Sequence, residues 1–230
     1  MNNIKERILK ADQSYLELLK SFTLRDSIIA LLYYVFILII YYVMGQILFN
    51  TGKYYGAVVN IILIIIPIII CRRLSSLGLC KRNLKVSLIV SGTIGLIFLL
   101  VNTIIPSVLM KAKLLSLDLI FTNIIYYFII IALSEEVSFR GYIQPRLYPL
   151  VKKEWLMIIV GGILFVFMHY PFQMAARGMS FIEYFPQFIA NAPFQFLWHL
   201  AFTWLYRCFG NIFGSTLLHG LIDMSMGLFE

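Results

Sequence analysis

Hydrophobic positions run along this chain in seven long blocks, and the short stretches between them hold nearly all of the charge. The blocks cover roughly residues 27–49, 55–71, 86–105, 118–146, 154–172, 187–206 and 210–229. A helix needs about 20 apolar residues to cross the hydrocarbon layer of a bilayer, and most of the blocks meet that length. The second is short but almost pure isoleucine, valine and leucine, while the fourth is long enough to tilt or to run past the bilayer. In lipid a backbone must satisfy its own N–H and C=O groups, which makes helices the expected elements. Ahead of the first block, Ile4, Ile8, Tyr15, Leu19 and Phe22 recur at helical spacing, with Lys5, Glu6, Lys10, Gln13 and Glu17 between them. That pattern predicts an amphipathic helix on the membrane surface. No small-residue cleavage site follows a short apolar core there, so the stretch is not read as a cleavable signal. The expected fold is all-α: a polytopic transmembrane helix bundle of about seven spans plus an N-terminal amphipathic interfacial helix. Residues 1–26 form the cytoplasmic segment and 27–230 a single transmembrane domain. Gly161-Gly162 and the Gly210/Gly214 pair offer small surfaces for close helix packing, and Pro145, Pro171 and Pro193 mark kinks or ends.

Composition sharpens this picture. The chain is 61% hydrophobic and 13% charged, with mean hydropathy +0.88, against about 25% charged in soluble domains. A net charge of +8 would suit a nucleic-acid partner, but the basic residues are scattered at the ends of the blocks, so no nucleic acid is expected. Their distribution instead sets topology. Fourteen of the 19 lysines and arginines flank the first block or lie between blocks two and three, four and five, or six and seven. Lys53, Lys111, Lys113 and Arg177 occupy the alternate loops, and Arg140 lies inside a block. The excess of positive charge places the N-terminus in the cytoplasm and the C-terminus outside. Cys71, Cys80 and Cys208 have no metal-ligand spacing and fall at cytoplasmic ends, where free thiols are expected. The abundance of Ile, Phe and Lys suggests a bacterial plasma membrane.

Charges inside the blocks carry the candidate chemistry. Ser134-Glu135-Glu136-Val137-Ser138-Phe139-Arg140 interrupts the fourth block, His169 the fifth, and His219 with Asp223 the seventh. Each charge at bilayer depth costs on the order of 2.5–3.5 kcal/mol on insertion scales, so three such clusters call for a reason. Depth is matched between two of them: Glu135 lies 17 residues before Lys152 and His169 lies 17 after it. Neighbouring antiparallel helices joined by a short turn pack side by side, which allows the two side chains to face one another. Glu136 and Arg140 share a helix face as an i,i+4 ion pair, leaving Glu135 to point about 100° away. His219 and Asp223 also stand at i,i+4, as do Phe165 and His169, placing an aromatic wall beside the imidazole. A carboxylate and an imidazole around a water form a general base, and a second histidine can bind a developing oxyanion. Water-mediated amide hydrolysis within the membrane is the reaction class this suggests. His199 is read as structural. No His-Glu-x-x-His occurs, no Gly-x-Ser-x-Gly, and a buried aspartyl pair is not expected from the four aspartates.

Glu-Glu-x-x-x-Arg, Phe-x-x-x-His and His-x-x-x-Asn/Asp, in that order on late helices, resemble the CPBP family, the CAAX-protease and bacteriocin-processing (Abi) group that includes the type II CAAX prenyl endopeptidases. The resemblance covers about residues 118–229. It implies a glutamate-dependent intramembrane endopeptidase in which Glu135 and His169 activate the water, His219 and Asp223 form the oxyanion site, and Glu136, Arg140 and Phe165 support them. Asp223 departs from the asparagine typical of eukaryotic CAAX proteases, and an ionised carboxylate cannot donate to an oxyanion. No cofactor is expected, with zinc bound by Glu135, His169 and His219 as the minority alternative. The expected partners are a membrane-associated or lipidated peptide and the lipid bilayer. A non-proteolytic bacteriocin-immunity or sensor-regulating protein on the same scaffold is the alternative function, and a small proton-coupled transporter a third.

Overall fold

A computed structural model describes residues 10–71 and 73–229. Eight helices follow in order: α1 Gln13–Ser21, α2 Leu24–Thr51, α3 Gly56–Cys71, α4 Leu84–Leu109, α5 Leu117–Val151, α6 Glu154–Ala176, α7 Phe181–Phe209 and α8 Phe213–Met224. All seven hydrophobic blocks are therefore helical, and among the described residues there is no strand, only an isolated bridge from Leu114 to Phe229. Four of the helices, α2, α4, α5 and α6, are long and apolar enough to cross a membrane. Of the helices formed by the blocks, the other three fall short of that standard. The 16-residue α3 is apolar but brief, and α8 has 12 residues. Although α7 runs for 29 residues, Gln187, Asn191, Gln195, His199 and Thr203 recur at every fourth position and dilute its hydropathy.

Local chemistry explains the helix ends. Thr23 and Asp26 form a reciprocal capping box at the start of α2, and Ser180 and Glu183 do the same for α7. Gly210 stops α7 with φ +65°, a left-handed conformation that costs glycine little. It is a helix stop rather than the packing surface expected of it. Its former pair, Gly214, does pack: a Cβ there would stand 2.0 Å from Ser87 Oγ, so α8 lies directly on α4. Prolines divide in the same way. Pro171 follows a break at His169 between two helical pieces of α6, and Pro145 sits in a tight 3-10 turn. Pro193, expected to kink or end a helix, stays inside continuous α7 together with Pro186.

The core is built around α5. Every residue from 136 to 147 is buried, including Glu136, Arg140, Gln144 and Arg146. At one end of the bundle α1 covers this core. Tyr15 and Leu19 are buried, Tyr15 meets Tyr206 edge-on at 5.3 Å, and Asp12 is held by Arg82, Asn83 and the carbonyl of Arg207. The apolar face of the amphipathic helix is thus turned onto protein rather than lipid; Ile4 and Ile8, read as part of that face, lie outside the described residues.

Candidate active site

Helix α5 carries the two adjacent carboxylates on unusually wound backbone. Tyr126–Ala132 and Glu136–Ile143 are π-helical, with one short α-helical piece, Leu133–Glu135, between them. Such widened turns occur preferentially at functional positions. On α6 the break before Pro171 leaves His169 at the joint, because a proline supplies no N–H to the preceding turn. His169 Nδ1 lies 2.9 Å from the Phe165 carbonyl. A carbonyl only accepts, so Nδ1 carries the proton and the lone pair of the neutral ring is on Nε2. Nε2 faces Glu135 Oε2 at 3.6 Å.

His219 of α8 completes the group. Its Nδ1 donates to Glu136 Oε1 at 3.0 Å, and its Nε2 lies 3.4 Å from Asp223 Oδ2 and 3.8 Å from Glu135 Oε2. The two glutamates therefore do not diverge as a simple 100° offset would have them. Their side chains are long enough to flank the two nitrogens of one imidazole. Glu136 also pairs with Arg140, with Nη1 at 3.1 Å and both side chains fully buried. Phe165 has two neighbours of consequence, the His169 ring at 4.9 Å edge-on and the Arg140 guanidinium 3.9 Å from its centroid. Only the first was visible as helical spacing.

Glu135 Oε2 is buried and makes no hydrogen bond among the described residues. A buried acceptor left free is costly and is found where a role requires it. The same carboxylate and His169 line a cavity of about 160 Å³ whose remaining polar lining comes from Tyr41, Tyr54, Asn60 and Gln173. These four were missed in the sequence, because an isolated tyrosine or amide in an apolar run gives no pattern. As for zinc, among the described residues no group of three or more His, Cys, Asp or Glu side chains is arranged to hold a metal ion.

Two further residues of α7 border the site. The Phe202 ring stacks on His219 at 4.6 Å and 15°. His199 is buried against Arg140, with Nδ1 3.4 Å from Nη2. The fourfold polar spacing along α7 is the signal that could have singled out His199.

Residues 117–225 match the family model described as type II CAAX prenyl endopeptidase Rce1-like. No curated protein and no solved structure matches the chain. The three motifs that resemble the CPBP group all fall inside the matched region, where their side chains gather around one imidazole. With four membrane-length helices the chain is an integral membrane protein, and over residues 117–225 it is similar to the type II CAAX prenyl endopeptidase Rce1-like family, a family of proteases.

Proposed function

We propose that this protein is an intramembrane endopeptidase that hydrolyses a peptide bond of a membrane-associated or lipidated substrate. The observation that carries the reading is the convergence of a hydrogen-bond-free carboxylate oxygen, Glu135 Oε2, and the unprotonated nitrogen of His169 across 3.6 Å at the wall of a cavity. Both atoms accept, and that separation is beyond direct hydrogen bonding. A water between them donates a proton to each and turns its lone pair toward the scissile carbonyl. As the water oxygen bonds to the carbonyl carbon, Glu135 takes its proton. His219, doubly protonated, keeps one N–H on Glu136 and offers the other, on Nε2, to the oxyanion. Asp223 orients that N–H from 3.4 Å. The proton held by Glu135 then passes to the amide nitrogen, the C–N bond breaks, and the products leave as a carboxylic acid and an amine.

The seven helical blocks are taken to form seven crossings, with the N-terminus cytoplasmic. No step passes through a metal, so activity persists after treatment with a strong zinc chelator; loss on chelation and recovery with zinc would restore the metal alternative. Glu135→Gln and His169→Ala, purified and reconstituted with a candidate membrane peptide, lower kcat by about 10²–10⁴-fold. Undiminished cleavage by either variant would remove that residue from the mechanism. If the wild type cleaves nothing and a cellular immunity or signalling phenotype survives Glu135→Ala, the protein is a non-proteolytic member on this scaffold.

A further inference from the structure

The chain has three histidines, and the one without a place in the proposed water-activating or oxyanion machinery is also fixed in the same buried network. His199 Nδ1 faces Arg140 Nη2 at 3.4 Å. A guanidinium has donors only, so Nδ1 must be the lone-pair nitrogen. The other nitrogen, Nε2, lies 3.2 Å from the Ile158 carbonyl, which only accepts, so the proton sits there. The Thr203 hydroxyl, 3.3 Å from Nε2, is free to donate elsewhere and does so to Gln144 Oε1 at 3.1 Å. One protonation state satisfies all of these contacts: a neutral ring with its proton on Nε2. A second proton would aim an N–H at the guanidinium of Arg140.

This matters because, beyond its ion pair with Glu136, Arg140 is held by rings. Its guanidinium lies over Phe165 at 3.9 Å, Phe202 at 5.1 Å and Phe139 at 5.5 Å. Aromatic faces attract a cation but do not fix the direction of its N–H groups. Among the described residues, the one side-chain hydrogen bond of this guanidinium is the contact with His199, and its Nε has none. Rotation of the fork would move Nη1 away from Glu136 Oε1, the same oxygen that accepts from His219 Nδ1.

We propose that His199 is a positioning residue that sets the orientation of Arg140, so that Arg140 holds Glu136 and Glu136 in turn fixes the orientation of the His219 ring. The link to catalysis rests on His219 acting as the oxyanion donor; the link to the ring's orientation does not. Nitrogen-15 labelling of the histidine rings tests it in the wild type, with a His199→Gln sample used to assign the His199 signals. His199 must show a neutral ring protonated on Nε2. A ring protonated on Nδ1, or on both nitrogens, overturns the proposal. His199→Phe keeps an aromatic ring but removes the acceptor, whereas His199→Gln supplies an acceptor and a donor. In the phenylalanine variant the His219 signals shift and kcat falls about 10- to 100-fold with KM little changed, the scale of a misplaced supporting group. The glutamine variant stays close to wild type in both. Wild-type His219 signals in His199→Phe would show that the ring only fills space. If no protein in the series cleaves peptide, the protease reading fails, while the nitrogen signals still decide the role of His199.

Discussion

At the scale of single residues, adjacent glutamates have opposite accounts. Glu136 is fully buried, paired with Arg140 and bonded to His219. Glu136→Gln strands the Arg140 charge, and breaking a buried pair in this way costs about 3–5 kcal/mol. The loss should appear as a lowered unfolding temperature in detergent. Glu135→Gln removes a carboxylate whose Oε2 is without a hydrogen bond, so it should leave that temperature nearly unchanged while abolishing turnover. Equal destabilisation by both substitutions would point to one structural knot instead of a base and its support. Asp223 offers a finer distinction. If it only orients His219 Nε2, an amide oxygen can take over, and Asp223→Asn keeps activity within about tenfold, whereas Asp223→Ala loses more. Equal kcat for the two substitutions would deny Asp223 any orienting part. Here sequence spacing was informative for pairs on one helix, His219 with Asp223 and Glu136 with Arg140. It could not show that both glutamates reach the same ring, because reach depends on where α8 stands.

At the scale of elements, the site depends on three helices meeting at one depth. The depth of Glu135 and His169 followed from counting 17 residues either way from the α5–α6 turn, and the structure sets them 3.6 Å apart. Breaking α6 at Pro171 then frees His169 from regular helix geometry. Helix α8 is set by contact with α4, where Gly214 presses on Ser87. Gly214→Val forces these helices apart, with an overpacking cost of about 1–3 kcal/mol. It should reduce activity along with stability, since His219 rides on α8 five residues later. A variant that keeps full kcat would mean that α8 is positioned by something other than this contact. Proline and glycine illustrate why element-level reading has limits. Pro193 fits within α7 and Gly210 ends that helix, yet the two residues carry no local mark that separates a tolerated proline from a breaker, or a packing glycine from a stop.

At the scale of the whole molecule, the alternating helices collect Arg25, Arg73, Arg82, Lys153 and Arg207 at one end. By the positive-inside rule we propose that this end is cytoplasmic. Cysteines introduced at the exposed Lys53 and Lys153 test the orientation in a background lacking the native three. An impermeant thiol reagent should label Lys53→Cys in intact cells and Lys153→Cys only after permeabilisation, and the reverse pattern would invert the topology. Helix α1 belongs to this scale as well. Its capping contacts bring together Asp12, Arg82, Asn83 and Arg207 from distant parts of the chain.

What the sequence determined alone was the part governed by period and by cost. Apolar blocks in lipid must be helical, and charges buried within them must find partners, so the helices, the membrane setting and the three polar clusters were legible from residue order. Tertiary structure decided the part governed by neighbours. Hydropathy cannot tell a face turned to lipid from one turned to protein, which is why α1 packs on the bundle and α7 hides His199. Nor can it set the direction of a proton on a ring. That follows from which carbonyl, carboxylate or guanidinium stands opposite each nitrogen, and only the packed helices supply those groups.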